Sequence, residues 1–419
     1  MFQLLKKERV EEGDSAKEIL REGESKTMGS SISPGLVCDP TSSWNFTNDE
    51  ESAKGQLYSA ADSIIVPILM SVIVVVGLLT NSLFLLSVIR VQHMRTATNH
   101  YLVQIAVADI MYLVSAAGDK IIRFAASPVR WDRRWSGGAG CVLTPLLVSL
   151  GYFAVLFFMT LVTREKYLAV CKPLKYRAIN AGRRIRTTLA AWAVAFLITS
   201  SFIPSSCVFT PRCITWPAVW RRSDLPSVAA TCSAVYDWWI IYTDIMQTTP
   251  FFLVTLLTLC MYVCIARALR VQVAAQTEGL QGPVTARKMQ TRRQIIHMLV
   301  CNGLLFICLL APFECVSLVS SIWDYIPHPL LTSEQLWLLS QIARTLAYLQ
   351  AAINPLVYYM LHPRYRHACL ETFSRGGTSS RQDVDTKAHR SHFTLRPKNN
   401  ANPREKHLDI LKQRPKHPV

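Results

Sequence analysis

The chain has 419 residues, of which 50% are apolar and only 17% charged, with a formal net charge of +17. That apolar fraction excludes a disordered chain, and 17 Gly and 21 Pro exclude a collagen-like or low-complexity one. A soluble protein with so few charges could not cover its surface, and the apolar residues fall in long runs, so the chain reads as a multi-span membrane protein.

A helix needs about 20 mainly apolar residues to cross a bilayer. The runs predict seven spans, at about 64–89, 98–118, 141–162, 187–205, 239–266, 295–323 and 336–361. The first has no charge. Asp109, Asp244, Glu314 and Arg344 are charges inside the second, fifth, sixth and seventh. The predicted fold is all-α: a seven-helix transmembrane bundle (61–373), an extracellular tail at 1–60 and a cytoplasmic tail at 374–419, both tails read as disordered. Arg364 to Leu370 reads as a short amphipathic eighth helix on the inner membrane surface.

Lys and Arg in short loops set orientation. With the N-terminus outside, the inner loops 90–100, 164–186 and 267–293 carry 16 basic residues, and the outer loops 119–136, 205–237 and 324–334 carry 8. The tail from Arg364 adds 13 basic against 5 acidic residues. The positive charge is therefore a cytoplasmic face near anionic lipid, not a nucleic-acid site. Asn45-Phe46-Thr47 is a glycosylation sequon, consistent with an outer N-terminus. The basic first outer loop (Lys120, Arg123, Arg130, Arg133, Arg134) reads as a solvated charge run or as steering for an acidic peptide. The twelve Cys form no C-x-x-C pair, so no metal site is expected.

Motifs fall in order along the spans: Gly77-Leu78-Leu79-Thr80-Asn81; Asn99-His100-Tyr101-Leu102 and Ala106-Val107-Ala108-Asp109; Trp135 before Cys141; Glu165-Lys166-Tyr167 running to Cys171-Lys172-Pro173-Leu174; Trp192; Phe306 and Pro312; Asn354-Pro355-Leu356-Val357-Tyr358. This set resembles the rhodopsin-like (class A) G protein-coupled receptors over about residues 60–375. Met94 to Asn99 and Ile265 to Leu269 look most like the peptide receptors of the thyrotropin-releasing-hormone and neuromedin U type.

The resemblance implies a disulfide from Cys141 to Cys232; Cys207 and Cys213 could pair with each other or with Cys38. It implies a polar core of Asp109, Asn81 and Asn354. In the family this core often holds sodium, but the hydroxyl partner on span three falls on Val155, so no cofactor is expected. Pro355 removes a backbone donor and kinks its helix, and the freed carbonyls need polar partners. Three departures put the activation relay in question: Lys166 where the family has arginine, Leu310 where it has tryptophan, and Tyr262, not Thr258, as the inward tyrosine of span five, with Pro250 displaced by one turn. A lysine at 166 keeps the charge beside Glu165 but loses the planar fork.

The ligand pocket is expected between helices in the outer half. Arg344 lies 11 residues before Pro355, about 16 Å up the helix, and should face the bundle. It either pairs with Glu314 or takes a carbonyl or carboxylate of a peptide. Tyr348, Gln247, Ser149 and Asp244 are further candidates. Val148 and Tyr348 stand where amine receptors have aspartate and opsins lysine, which disfavours both ligands. Cys369 is a candidate for palmitoylation. The expected function is a plasma-membrane peptide receptor signalling to heterotrimeric G proteins, with arrestin on the phosphorylated tail. The rivals are an atypical or decoy receptor with weak coupling and a seven-span transporter, which lacks any visible inverted repeat.

Overall fold

The computed structural model describes residues 43–220, 225–277, 283–322 and 331–374. The chain divides into two units, Met1–Thr372 and Phe373–Val419, and all that follows concerns the first. Seven long helices form the bundle: α1 Asp62–Arg90, α2 Ala97–Ala126, α3 Gly137–Cys171, α4 Ala181–Ser200, α5 Trp238–Thr277, α6 Pro283–Ile322 and α7 Ser333–Leu361. A shorter helix, α8, covers Pro363–Ser374. Among the described residues, α1 to α6 each contain a stretch long and apolar enough to cross a membrane. The α7 helix is as long but carries Gln341, Arg344, Gln350 and Asn354 along its length.

Most helices outrun the apolar runs that announced them. A helix satisfies its own backbone in lipid and in water alike, so a charge marks the membrane edge and not the helix end. Polar residues do the capping. Thr96 accepts from the Asn99 N–H at the start of α2, and Thr332 and Gln335 form a reciprocal capping box on α7. Large apolar side chains such as Leu79, Ile89, Leu197 and Leu253 lie exposed around the outside, as a lipid-facing surface requires.

Close approach fixes the α2–α3 crossing. A Cβ on Gly151 would stand 2.9 Å from Tyr112 Cβ and 3.1 Å from Ala108 O, so only glycine fits there. The core between helices holds Phe84, Leu113, Phe153, Phe158, Phe251 and Tyr358.

At one end a three-stranded sheet caps the bundle. Strand β2 (Val208–Thr215) pairs antiparallel with β3 (Val228–Ser233) and parallel with β1 (Ser43–Asn45). Trp44 and Phe46 bury against Val129, Ile214 and Ala229. This corrects the expectation of a disordered segment to residue 60. Residues 43–60 fold, with a helical turn at Glu50–Gly55, because two aromatic side chains find an apolar sheet face. Residues 1–42 and 375–419 lie outside the described residues.

Candidate functional site

The sheet is pinned to α3 by a disulfide between Cys141 and Cys232, the pairing the resemblance implied. Cys207 is free and Cys213 is disulfide-bonded, so those two are not partners. Cys38 lies outside the described residues.

In the middle of the bundle Asp109 and Asn354 touch, while Asn81 bonds to backbone carbonyls. Asn354 Nδ2 donates to Asp109 Oδ2 at 2.8 Å, and Gln350 Nε2 donates to Asn354 Oδ1 at 3.1 Å. Asn81 Nδ2 reaches Ala351 O at 3.0 Å, and the Thr80 hydroxyl reaches Ala352 O at 2.9 Å. Pro355 has no N–H to give Ala351, four residues back, so Asn81 supplies the missing donor. One turn further in, Asn302 Nδ2 lies 3.4 Å from the buried Tyr358 hydroxyl. Val155 and Leu310 are buried in the apolar core.

At the end away from the sheet, Glu165 is buried. The Thr98 hydroxyl donates to Glu165 Oε1 at 3.3 Å and itself accepts from the Lys166 ammonium. Thr98 thus bridges the acid and the lysine. Tyr176 also reaches Glu165 Oε1, at 3.5 Å, while Tyr167 stands half-buried beneath Lys172, whose ammonium is 5.6 Å from its ring. Tyr262 turns inward, its hydroxyl 3.2 Å from that of Thr163, as the displaced proline predicted. It lies on bare backbone, for a Cβ on Gly303 would stand 1.7 Å from the Tyr262 hydroxyl oxygen. Phe306, six residues before Pro312 on α6, is buried and lines a small cavity with Tyr262, Leu156 and Val254. Tyr365 of α8 donates to Asn99 at 2.7 Å. On the same helix Cys369 is half-buried and free, and burial pushes its thiol up.

Toward the sheet end, polar side chains gather between the helices. Glu314 is fully buried, and neither carboxylate oxygen meets a hydrogen-bond partner among the described residues. The hydroxyls of Tyr152 and Thr248 stand beside it. Glu314 does not pair with Arg344; that expectation is corrected. Glu314 faces Tyr152 of α3 and Thr248 of α5, while Arg344 lies on α7. Arg344 is half-buried, one turn above Tyr348, which packs on Tyr112 of α2 at 5.7 Å between ring centroids. Asp244 lies beside Ser321 at the α5–α6 seam. Ser149 and Gln247 are half-buried.

The basic first loop is not a solvated run. Arg130 lies 3.2 Å from Asp62 and 4.9 Å over the Trp337 ring. Arg123 and Arg133 each lie 2.9 Å from Asp119, and Arg134 2.8 Å from Asp132. Burial holds the Arg130 and Arg133 guanidiniums below their usual value. Burial alone would raise the Asp132 carboxyl, but hydrogen bonds from the Arg134 side chain and backbone hold it below the ordinary aspartate value. Asp132 also accepts from the Ala230 N–H of β3 at 3.2 Å, tying the loop to the sheet. The sequon residue Asn45 is exposed, its Oδ1 accepting from the Thr47 hydroxyl at 2.6 Å.

Sequence reasoning missed Thr98, Gly303, Gln350, Tyr152 and Thr248 as members of these clusters. All but Gly303 sit at ordinary polar positions of apolar helices, where only the neighbouring helix gives them a partner.

A model of the family described as 7 transmembrane receptor (rhodopsin family) matches residues 80–358. The thyrotropin-releasing hormone receptor of Gallus gallus is 27% identical over 361 residues, covering 77% of this chain and 84% of the relative. Neuromedin-U receptor 2 of Mus musculus is 26% identical, covering 73% and 74%, and the motilin receptor of Homo sapiens 26%, covering 71% and 77%. With seven ordered helices, the Asp109–Asn354 contact, the Cys141–Cys232 bridge and a family match across two thirds of its length, the chain belongs to the rhodopsin family of seven-transmembrane receptors.

Proposed function

We propose that this receptor sits in the plasma membrane with its N-terminus outside, binds an extracellular peptide in the pocket under the sheet, and signals to heterotrimeric G proteins. The observation that carries the ligand reading is Arg344: a half-buried arginine on α7 that meets no carboxylate among the described residues. The names of the relatives support a peptide. A ligand that binds one packing of the bundle more tightly shifts the population toward it. The elements that differ between packings are the Pro355 kink with its borrowed donors and the Glu165–Thr98–Lys166 bridge, which would open to admit the G protein.

Glu314, Tyr348, Gln247 and Ser149 are the further contacts proposed for the ligand. Asp244, beside Ser321, is proposed at the pocket's edge. The Asn45 sequon would carry a glycan, its side chain being exposed. Cys369 would carry a palmitoyl chain at the bilayer surface, and the tail beyond Ser374 would bind arrestin once phosphorylated. A resident sodium ion at Asp109 fits poorly: Asp109 has one carboxylate oxygen without a hydrogen-bond partner, but Val155 and Leu310 bring no oxygen to share.

The test is expression of the full chain with a promiscuous G protein and a peptide screen. A peptide response that weakens at least tenfold in Arg344→Ala, at equal surface level, supports the reading. Silence across a broad library with surface expression demonstrated would overturn it.

A further inference from the structure

Five basic residues lie in the last two turns of α2 and the loop that follows it to α3. Four of them have an acid. Arg123 and Arg133 share Asp119, Arg130 takes Asp62, and Arg134 takes Asp132. Lys120 is the exception. Its ammonium donates 2.7 Å to Gln341 Oε1 across the α2–α7 seam, and among the described residues it meets no carboxylate.

Gln341 and Arg344 are three apart on α7, so their side chains leave one helix face with about 5–6 Å between Cβ atoms. The contact of Lys120 with Gln341 therefore brings its ammonium to the side of α7 that carries Arg344. Depth agrees. Asp109 and Asn354 touch at 2.8 Å and fix a common level. Lys120 is 11 residues up α2 from Asp109 and Arg344 is 10 up α7 from Asn354, about 15–16 Å in each case. Both side chains are half-buried. Below them Tyr112 and Tyr348 form an aromatic floor.

Two like charges brought together in a partly desolvated seam repel, and a single anion between them relieves both. The two acids near the seam cannot serve, because Asp119 and Asp62 are already held by arginines. We infer that Lys120 and Arg344 form a carboxylate-binding subsite between α2 and α7, so that the ligand presents an anionic group there, from a free C-terminus or an acidic side chain. This rests on the pocket reading above but goes beyond it: it assigns Lys120 a ligand contact and sets the charge of the group bound.

The experiment uses the purified full chain and measures its thermal unfolding midpoint, with no signalling involved. Three probes are compared at equal concentration: N-acetyl-phenylalanine, its primary amide, and N-acetyl-aspartyl-phenylalaninamide. A carboxylate that binds the folded chain should raise the midpoint by roughly 2 °C or more, and the amide should not. The free acid against the aspartyl amide tells a C-terminal source from a side-chain source. Lys120→Gln keeps a donor for Gln341 but removes the charge and should abolish the shift; Lys120→Arg should keep it. Equal shifts with acid and amide, an undiminished shift in Lys120→Gln, or no shift with any probe would each overturn the subsite. A chain that signals to amidated peptides yet shows no preference for carboxylate keeps the receptor reading and loses this one.

Discussion

Asn81 replaces the backbone donor that Pro355 lacks. Its Nδ2 lies 3.0 Å from Ala351 O, the carbonyl an ordinary residue at 355 would have served. Asn81→Ala leaves that buried carbonyl unpaired and should cost about 1–3 kcal/mol of stability. In a Pro355→Ala background the restored N–H serves Ala351, and the cost should shrink. Thermal unfolding of the two single variants and the double measures the coupling. A cost unchanged by Pro355→Ala would mean that Asn81 acts mainly through its other bond, to Gly77 O at 2.9 Å.

Gly303 is the floor on which Tyr262 lies. A methyl group there would also meet Tyr262 Cζ at 2.7 Å, so the ring itself must move. Gly303→Ala should lower stability by about 1–3 kcal/mol, the usual cost of overpacking, and break the Tyr262–Thr163 contact. In a chain carrying Tyr262→Leu the same substitution should cost little, which a double-variant cycle would read directly.

Asp62, Arg130 and Trp337 join the start of α1, the first loop and α7. Arg130→Ala strands a buried carboxylate and should cost about 3–5 kcal/mol. Asp62→Asn with Arg130→Met removes both charges and should recover most of that loss. A double variant as unstable as Arg130→Ala would show that the Trp337 stacking, and not the charge, is what holds the loop.

The Asp132 carboxyl is held below its ordinary value, so the unfolded chain binds a proton there before the folded chain does. Its stabilising contribution is complete above about pH 4, the ordinary aspartate value, and is lost as pH falls through the lower folded value. Asp132→Asn should flatten the fall in thermal stability on the acid side of about pH 4 and leave the neutral region parallel to wild type.

Lys166 reaches Thr98 as a point charge, whereas a guanidinium would present a planar fork to the Glu165 carboxylate. Lys166→Arg should raise agonist-driven G protein signalling by severalfold at equal surface expression. No gain would remove Lys166 as the limiting departure and leave Leu310 to be examined.

Much of the candidate site was legible before the structure. Asp109, Asn354, Asn81 and Tyr358 were readable because a charge or amide in lipid must have a partner, and few partners exist. Arg344 was legible from rise per residue alone. Its surroundings were not. Glu314 was the obvious acid, yet it faces Tyr152 and Thr248. The loop arginines were misread for the same reason: Asp62 is 68 residues from Arg130 in the chain, and nothing local reveals that they meet.

The sequence by itself determined the number and order of the seven helices and which polar residues lie inside them, though not where the helices end. These follow from bilayer thickness and from the cost of unsatisfied groups in hydrocarbon, both of which act on each segment separately. The tertiary structure decided which charge neutralises which, that residues 43–45 join a sheet, and that Lys120 meets Gln341 across the α2–α7 seam. Charge pairing is set by rotation of each helix about its axis, and that rotation is fixed by contacts such as Gly151 on Tyr112 and Gly303 under Tyr262. Such contacts exist only once the helices have met.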